Sequence, residues 1–220
     1  MTASERWLAA TWTFVRAWLP PAPARVVDLG CGSAGGFVPR LRREGYEAIG
    51  IDPEAPAAAH YERVEFERAE LPGELGAIVA STSLHHVGDP ARVIDRIASS
   101  LADDGRLIVV EWDWERFDRR TADWCFARLG SDGWLQRLRD DWAAADMPWA
   151  GFLRAWAEDD GIHRGDQLVK LLDERFEQLF FERGPYVFPD LAATSEADER
   201  AAIDAGEINA TRIDWVGTRR

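Results

Sequence analysis

The residues of this chain best suited to chemistry begin with a run of glycines. Gly30-Cys31-Gly32-Ser33-Ala34-Gly35 fits the spacing G-x-G-x-x-G and directly follows the apolar segment Arg25-Val26-Val27-Asp28-Leu29. Glycine is needed there because the backbone must turn tightly and let a ligand approach where a Cβ would intrude. Asp52 ends the next apolar segment, where a carboxylate can accept hydrogen bonds from both hydroxyls of a ribose. This spacing favours a site for an adenosine-containing cofactor over a purely structural turn.

Asp28 distinguishes two classes of such cofactors. It stands two positions before the first glycine of the run. A carboxylate there is poorly suited to the pyrophosphate of a nicotinamide dinucleotide, but it can help hold the turn and the ammonium end of a methionine moiety. Asp28 therefore favours S-adenosylmethionine, and the plainer alternative is that it only caps the turn.

The elements that must position these residues alternate between strands and helices. The pattern predicts strands at 25–29, 47–51, 64–66, 76–80 and 106–111, and helices at 6–19, 36–43 and 90–103. Asp89-Pro90 has the chemistry of a helix start, and Val93, Ile94, Ile97 and Leu101 supply an apolar face. Strands joined in this way form a parallel sheet with right-handed crossovers. The first half is therefore predicted to be a doubly wound α/β unit.

The second half has a different rhythm. Long helical stretches continue to about Phe176, and the remaining strand candidates are 177–188 and 210–218. Seven tryptophans and three phenylalanines fall between Trp112 and Trp156, and Trp134, Leu138 and Trp142 share one helical face. Core packing is the favoured interpretation of these aromatic residues, with a substrate wall as the alternative.

Five blocks in the first half resemble the class I methyltransferases, particularly the group that includes the ubiquinone and menaquinone C-methyltransferases. The blocks are Val27-Asp28-Leu29-Gly30-Cys31-Gly32, Ile49-Gly50-Ile51-Asp52, Ala69-Glu70-Leu71-Pro72, Ser81 to Pro90 and Leu101 to Glu111. The resemblance implies a Rossmann-like sheet of seven strands with a helical, Trp-rich cap, and S-adenosylmethionine as cofactor. It divides one domain into a lid helix (1–21), a cofactor-binding core (22–111), the cap (112–176) and C-terminal strands (177–220).

The resemblance also implies roles for individual residues. Gly30 and Gly32 lie against the methionyl portion of the cofactor and Asp52 binds its ribose. Arg68 and Ala69 border the adenine, and Ser81 faces the methionyl part. Two positions depart from the family, which often has glycine in place of Ala34 and an acidic or amide residue in place of Arg68.

His85, His86 and Glu111 are the candidates for catalysis. A sulfonium methyl is already activated, so a base is needed only when the acceptor must lose a proton. Both histidines follow the fourth strand, and His86 is the preferred base, although either can instead brace the loop. Glu111 ends the fifth strand and can orient an amine or hydroxyl. The cluster that it forms with Trp112, Asp113 and Trp114 suits a cationic or planar acceptor, and the alternative is a strand end that helps to bury the cap.

Composition narrows the partners. The chain has 220 residues, 46% of them hydrophobic, which suits one domain with a substantial core. Its net charge of −13 and the lack of a visible basic patch disfavour nucleic acid and favour a small-molecule acceptor. Two cysteines and no apolar leader suggest a cytoplasmic protein without membrane insertion, and no spacing suggests a metal site. A nicotinamide-dependent oxidoreductase and a non-catalytic module with this fold are the competing functions.

Overall fold

The computed structural model describes residues 1–130 and 133–220, and one sheet dominates it. Its strands are β1 (Arg25–Leu29), β2 (Glu47–Ile51), β3 (Tyr61–Glu62), β4 (Leu75–Ser81), β5 (Leu101–Trp112), β6 (Phe176–Gly184) and β7 (Arg212–Arg219). Their order across the sheet is β3-β2-β1-β4-β5-β7-β6. Strands β1 to β5 pair in parallel, whereas β7 runs antiparallel to both β5 and β6. The predicted seven-stranded, doubly wound architecture is confirmed.

Helices precede the sheet and connect its strands. They are α1 (Ala3–Trp18), α2 (Val38–Arg43), α3 (Pro90–Ser100), α4 (Arg119–Phe126), α5 (Trp134–Ala145), α6 (Trp149–Asp159), α7 (Gly165–Arg175) and α8 (Glu196–Asp204). Helices α4 to α7 form one long insertion between β5 and β6, in agreement with the predicted helical stretch after Glu111. Within the described ranges, no helix is long and apolar enough to cross a membrane.

The starts of α1 and α3 follow from their capping residues. Thr2 caps α1 in a reciprocal arrangement, because the Glu5 N–H donates to Thr2 Oγ1 at 3.1 Å and the Thr2 N–H donates to Glu5 Oε2 at 2.8 Å. The helix therefore begins before the predicted residue 6. Asp89 caps α3 as predicted, with its Oδ1 accepting from the Arg92 N–H at 3.0 Å.

The third strand was predicted at 64–66, and this prediction is wrong. The pairing strand is Tyr61–Glu62, which lies beside Gly50 and Ile51 of β2, whereas Phe66–Arg68 is a short 3-10 helix. Phe66 lies in that helical turn, and its side chain is buried in the core. Its apolar character therefore does not indicate a strand.

Two other differences concern the end of helix α3 and the presence of helix α8. Leu101 was predicted on the apolar face of α3, but it begins β5 and pairs with Leu75 of β4. Helix α8 was not predicted at all, although Ser195 and Asp198 form a capping box at its start. The strand candidate at 210–218 corresponds to β7, which begins at Arg212.

Three groups of buried apolar residues hold these layers together. One face of the sheet packs with α3 and α7 through residues such as Ile94, Leu107 and Leu168. The opposite face packs with α1 and α2, and the third group fills the cap formed by α4, α5 and α6. The cap is built around buried tryptophans such as Trp149, which confirms core packing for part of the aromatic segment.

Candidate active site

The glycine run forms a turn between β1 and α2, and two of its glycines are required for different reasons. Gly30 has φ +78°, and a Cβ there would lie 2.3 Å from the Cβ of Ser83 in the loop after β4. Gly32 has φ +63°, and a Cβ there would meet no atom of the described residues within 4 Å. Gly30 therefore lets the two loops touch, and Gly32 leaves the backbone open to a ligand.

Asp28 supports this turn from below. Its side chain is 1% exposed, and its Oδ2 accepts a hydrogen bond from the Phe37 N–H at 2.6 Å. Burial raises the pKa of Asp28 to about 7, although the Phe37 N–H opposes the rise, and the nearby charge of Asp52 adds to it. The structure thus shows Asp28 holding the turn, and its contact with a cofactor ammonium stays a prediction.

Asp52 joins the end of β2 to the same turn. Its Oδ2 accepts from the Gly32 N–H at 2.9 Å, and its Oδ1 accepts from the Glu54 N–H at 2.7 Å. A carboxylate oxygen has two lone pairs, so each of these atoms can still accept a hydrogen bond from a ribose hydroxyl. The position of Asp52 therefore fits its predicted role.

A cavity of about 170 Å³ lies beside this turn, and we call it the glycine-loop cavity. It is lined by Leu29, Gly30, Ile51, Asp52, Pro53, Glu65, Phe66, Glu67, Thr82, Ser83, His86 and Val87. Among these described residues, three are carboxylates and none is a lysine or arginine. Such a wall attracts a sulfonium or ammonium group and repels a pyrophosphate. The residues present therefore fit S-adenosylmethionine better than a nicotinamide dinucleotide.

Of the seven predicted cofactor residues, Gly30 and Asp52 line this cavity, and the other five lie outside its wall: Asp28, Gly32, Arg68, Ala69 and Ser81. The wall is formed by residues 65–67, whereas Arg68 is exposed and Ala69 is buried with its carbonyl accepting from the Arg96 guanidinium. Ser81 is buried, and its Oγ accepts from Trp7 Nε1 of α1 at 3.0 Å. The hydroxyl of Ser81 thus links α1 to the end of β4 through this hydrogen bond.

Glu111 lies beneath the loop that follows β4. It is 1% exposed, and its Oε1 accepts from the Ser83 and Leu84 N–H groups at 2.8 and 2.6 Å, while its Oε2 is bonded to His85 Nδ1. Burial opposes ionisation, but His85 and the two N–H donors outweigh it and hold the pKa of Glu111 below its usual value. Glu111 therefore positions the loop and His85, and both of its oxygens already take part in hydrogen bonds within the protein.

His86 occupies the edge of this loop. Its ring centroid lies 4.1 Å from that of His85, and its side chain lines the glycine-loop cavity and a second cavity beyond it. Although His86 is exposed, partial burial of its ring lowers its pKa, and the neighbouring His85 adds to this effect. A lowered pKa keeps the imidazole neutral at pH 7, which is the form that accepts a proton.

The second cavity has a volume of about 290 Å³, and we call it the aromatic cavity. It is lined by Thr82, His85, His86, Trp112, Trp134, Trp156, Asp160, Ile162 and Tyr186. Trp112 is at the centre of its wall, with ring centroids 5.1 Å from Trp134, 6.0 Å from Trp156 and 5.8 Å from Tyr186. The cavity is therefore assembled from segments that lie far apart in the sequence.

The predicted acidic and aromatic cluster after β5 is divided by the fold. Trp112 lines the aromatic cavity, but Asp113 is buried and its Oδ2 accepts from Arg183 Nε and Nη2 at 3.0 and 2.9 Å. Trp114 is buried in the cap and donates to the His163 carbonyl at 3.2 Å. Of the three residues after Glu111, Trp112 lines the aromatic cavity, whereas the chain turns into a short 3-10 helix after β5 and buries Trp114 in the cap, as the alternative interpretation expects.

Thr82 is a site residue that the sequence did not indicate. It has φ +53° and lines both cavities, together with a third one beside α1. A β-branched residue in this conformation costs about 1–3 kcal/mol and persists where surrounding structure enforces it, often at functional sites. Threonine disfavours positive φ, so no local pattern predicts it here. Asp160 and Tyr186 were also missed, because they reach the cavity only through the packing of the cap.

Comparisons with known proteins agree with this geometry. A family model described as a methyltransferase domain matches residues 4–150. A ubiquinone biosynthesis O-methyltransferase from Xylella fastidiosa (strain 9a5c) is 30% identical over 165 residues, which cover 67% of this chain and 64% of that protein. A protein of the same name from Xanthomonas axonopodis pv. citri (strain 306) is 29% identical over 171 residues, covering 70% of this chain and 68% of the relative. The match thus spans slightly less than two thirds of the Xylella protein.

Solved structures share the fold at low sequence identity. An S-adenosylmethionine-dependent methyltransferase from Mesorhizobium loti has a TM-score of 0.58 and 19% identity, with coverage of 96% of this chain and 98% of that one. The geranyl diphosphate C-methyltransferase from Streptomyces coelicolor A3(2) has a TM-score of 0.59 and 16% identity, with coverage of 96% and 80%. The family match and the acid-lined cavity assign S-adenosylmethionine as the cofactor, and the chain belongs to the methyltransferase domain family.

Proposed function

We propose that this protein transfers a methyl group from S-adenosylmethionine to a small organic molecule bound in the aromatic cavity. The observation that carries the proposal is that the glycine-loop cavity and the aromatic cavity share Thr82 and His86. A group held in one cavity and a group held in the other therefore approach each other at these two residues. Proximity of this kind is the main requirement for displacement at an activated methyl group.

The residues around the glycine-loop cavity supply the cofactor contacts in this proposal. Asp52 accepts from the ribose hydroxyls, and the backbone at Gly32 allows the methionyl portion to come close. Glu65 and Glu67 add negative charge to the wall that receives a cation. When bound, S-adenosylmethionine supplies a methyl group on a positively charged sulfur.

His86 is the proposed base for an acceptor that must lose a proton. It lies at the junction of the two cavities, and its lowered pKa keeps it neutral at pH 7. Glu111 acts through His85 and the loop backbone, so it is a positioning residue. The aromatic side chains surround the acceptor with apolar surface on the side of the cap.

The size of the aromatic cavity supports a small acceptor. Its volume of about 290 Å³ is near the lower end of the range for small-molecule sites, roughly 300–1,000 Å³. The Xylella and Xanthomonas relatives are named for O-methylation in ubiquinone biosynthesis, which also supports a small organic acceptor for this chain.

The first test of this function is cofactor binding. S-adenosylhomocysteine should raise the melting temperature, whereas NADH should not, and stabilisation by NADH alone would overturn the proposal. Asp52→Ala should weaken S-adenosylhomocysteine binding by about 1–3 kcal/mol, because it removes a charged acceptor. Asp104→Ala, at an exposed acidic position near the start of β5, should leave the affinity unchanged.

The second test is transfer itself. The protein is incubated with methyl-labelled S-adenosylmethionine and separate panels of small phenols, thiols and amines, and the label is followed into the small-molecule fraction. Transfer to at least one panel is expected. Cofactor binding without transfer to any small molecule would instead support the non-catalytic alternative.

A further inference from the structure

The walls of the aromatic cavity form a partial box. The rings of Trp134 and Trp156 lie at 69° and 65° to the ring of Trp112, while Tyr186 is nearly parallel to Trp112 at 12°. These rings pack against one another, and all four residues line the cavity. The faces of indole and phenol rings attract cations, and clustered aromatic rings bind ammonium groups in many proteins.

The charge around this box has one sign. Asp160 is the single carboxylate among the described lining residues, and no lysine or arginine accompanies it. Asp160 follows the last residue of α6, where the helix dipole adds further negative potential. A cation entering the cavity is therefore attracted by the Asp160 carboxylate and by the carboxyl end of α6.

We propose that the methyl acceptor is a small organic amine, which enters the aromatic cavity as an ammonium ion and is methylated on nitrogen. This inference rests on the proposed function and adds the class of acceptor. The aromatic rings and Asp160 hold the cation, and His86 lies beside it at the junction with the glycine-loop cavity. A neutral phenol would gain no comparable benefit from Asp160.

The proton and electron balance of this transfer is simple. The N–H bond of the ammonium breaks and the proton moves to the neutral His86 ring, which leaves a lone pair on nitrogen. That lone pair forms the new bond to the methyl carbon as the carbon–sulfur bond breaks and its electrons remain on sulfur. His86 then releases the proton to solvent, so no further reactant is needed.

Binding can be tested without turnover by choline and its uncharged isostere, 3,3-dimethylbutan-1-ol. The nitrogen of choline has no proton and no lone pair, so it reports cation binding alone. In calorimetry with the full chain saturated by S-adenosylhomocysteine, we expect choline to bind at least about fivefold more tightly than the isostere, as cation–π attraction implies. Equal affinities, or tighter binding of the isostere, would overturn the inference.

Two test variants, each with a matched control, show whether the preference for choline arises in the aromatic cavity. Asp160→Asn and Trp156→Leu should each reduce the preference for choline by about threefold or more. Their controls are Asp159→Asn, which changes the same charge one residue away, and Trp142→Leu, which removes a half-buried cap tryptophan that does not line the cavity. The controls should keep the preference, and all four variants should retain S-adenosylhomocysteine affinity. An undiminished preference in both test variants would show that the cation binds elsewhere and would refute the inference.

The outcome separates this inference from the proposed function. Transfer to phenols, with no preference for choline over its isostere, would keep the methyltransferase function and refute the amine acceptor. A choline preference without transfer to any small molecule would refute the catalytic function, while the cation site would stand.

Discussion

The two loops at the carboxyl end of the sheet each rest on a buried carboxylate, but the two carboxylates differ in their partners. Asp28 lies under the glycine turn, where burial outweighs its N–H donors and raises its pKa to about 7. Glu111 lies under the histidine loop, where two N–H groups and His85 hold its pKa below the usual value. The partners of Asp28 are too few to offset its burial, whereas those of Glu111 more than offset it.

This difference indicates how the histidine loop and the glycine turn differ before a ligand binds. The histidine loop is fixed by contacts within the protein, so its geometry is ready before any ligand arrives. The glycine turn has negative charge in Asp28 and Asp52 that a bound cation would compensate. The half of the site at the histidine loop is thus balanced by its own contacts, whereas the cofactor half, at the glycine turn, would gain its missing charge from a bound cation.

The largest expected effect tests whether the histidine loop serves chemistry rather than binding. His86→Gln should lower the transfer rate by roughly 10²–10⁴-fold, because it removes the proton acceptor, while S-adenosylhomocysteine affinity stays nearly constant. The wild-type rate should be level above pH 6.5 and fall as the pH drops through the lowered pKa of His86, and the variant should lose this dependence.

The control for this experiment is His60→Gln, at an exposed position outside both cavities. It should leave rate and pH profile unchanged. Undiminished turnover of the His86 variant, with the wild-type pH profile, would remove His86 from the mechanism and leave proximity as the main catalytic effect.

A smaller effect is expected from Glu111→Gln. The loss of charge at a residue bonded to two N–H groups and a histidine should lower the free energy of unfolding by about 1.5–3 kcal/mol at pH 7. Because the folded pKa of Glu111 is lowered, the wild-type advantage should be complete above about pH 4.5 and shrink as the pH falls through the folded value. Urea unfolding at several pH values measures this gap.

Glu199→Gln provides a matched control with the opposite sign. Glu199 is also buried and accepts from the backbone N–H groups of residues 186–188, but burial outweighs these donors and raises its pKa. The stability of wild type relative to this variant should therefore fall as the pH rises. If both variants gave the same trend with pH, the proposed difference between the buried carboxylates would be refuted.

The smallest effect is expected at Asp28. Because its pKa is raised to about 7, ionisation of Asp28 costs stability, and wild type should lose about 1 kcal/mol relative to Asp28→Asn between about pH 6 and 7. S-adenosylhomocysteine carries an ammonium group and should reduce this loss. Thermal unfolding with and without the ligand measures both quantities, and parallel pH profiles for wild type and variant would contradict the idea of an incomplete cofactor half.

The sequence predicted the cofactor half well because its residues are local. The strand at 25–29, the glycine turn and Asp52 form one continuous unit whose turn geometry dictates its residue types. The prediction placed the third strand at Phe66, but Phe66 belongs to a helical turn that buries its side chain. An apolar residue that is expected to be buried does not distinguish a strand from such a turn. Family resemblance identified the order of motifs and implied that Arg68 and Ala69 border the adenine, which stays a prediction; from this segment the glycine-loop cavity is lined by the three residues before them.

The acceptor half was predictable only in part. The aromatic segment was visible as a cap, but the sequence did not indicate that Trp134 and Trp156 reach the cavity while Trp149 is buried away from it. Tyr186 and Asp160 come from separate segments, and their meeting depends on how the helices pack. Glu111 was expected to face an acceptor, and its hydrogen bonds beneath the loop became apparent only in three dimensions.

The arrangement of the tryptophans gives this protein an internal optical reporter. Three of its eleven tryptophans, Trp112, Trp134 and Trp156, line the aromatic cavity, whereas none of the described residues lining the glycine-loop cavity is a tryptophan. Indole emission responds to the polarity and charge of its immediate surroundings. An acceptor should therefore change the emission spectrum strongly and S-adenosylhomocysteine only weakly, so that occupancy of the two halves can be followed separately in the unlabelled protein.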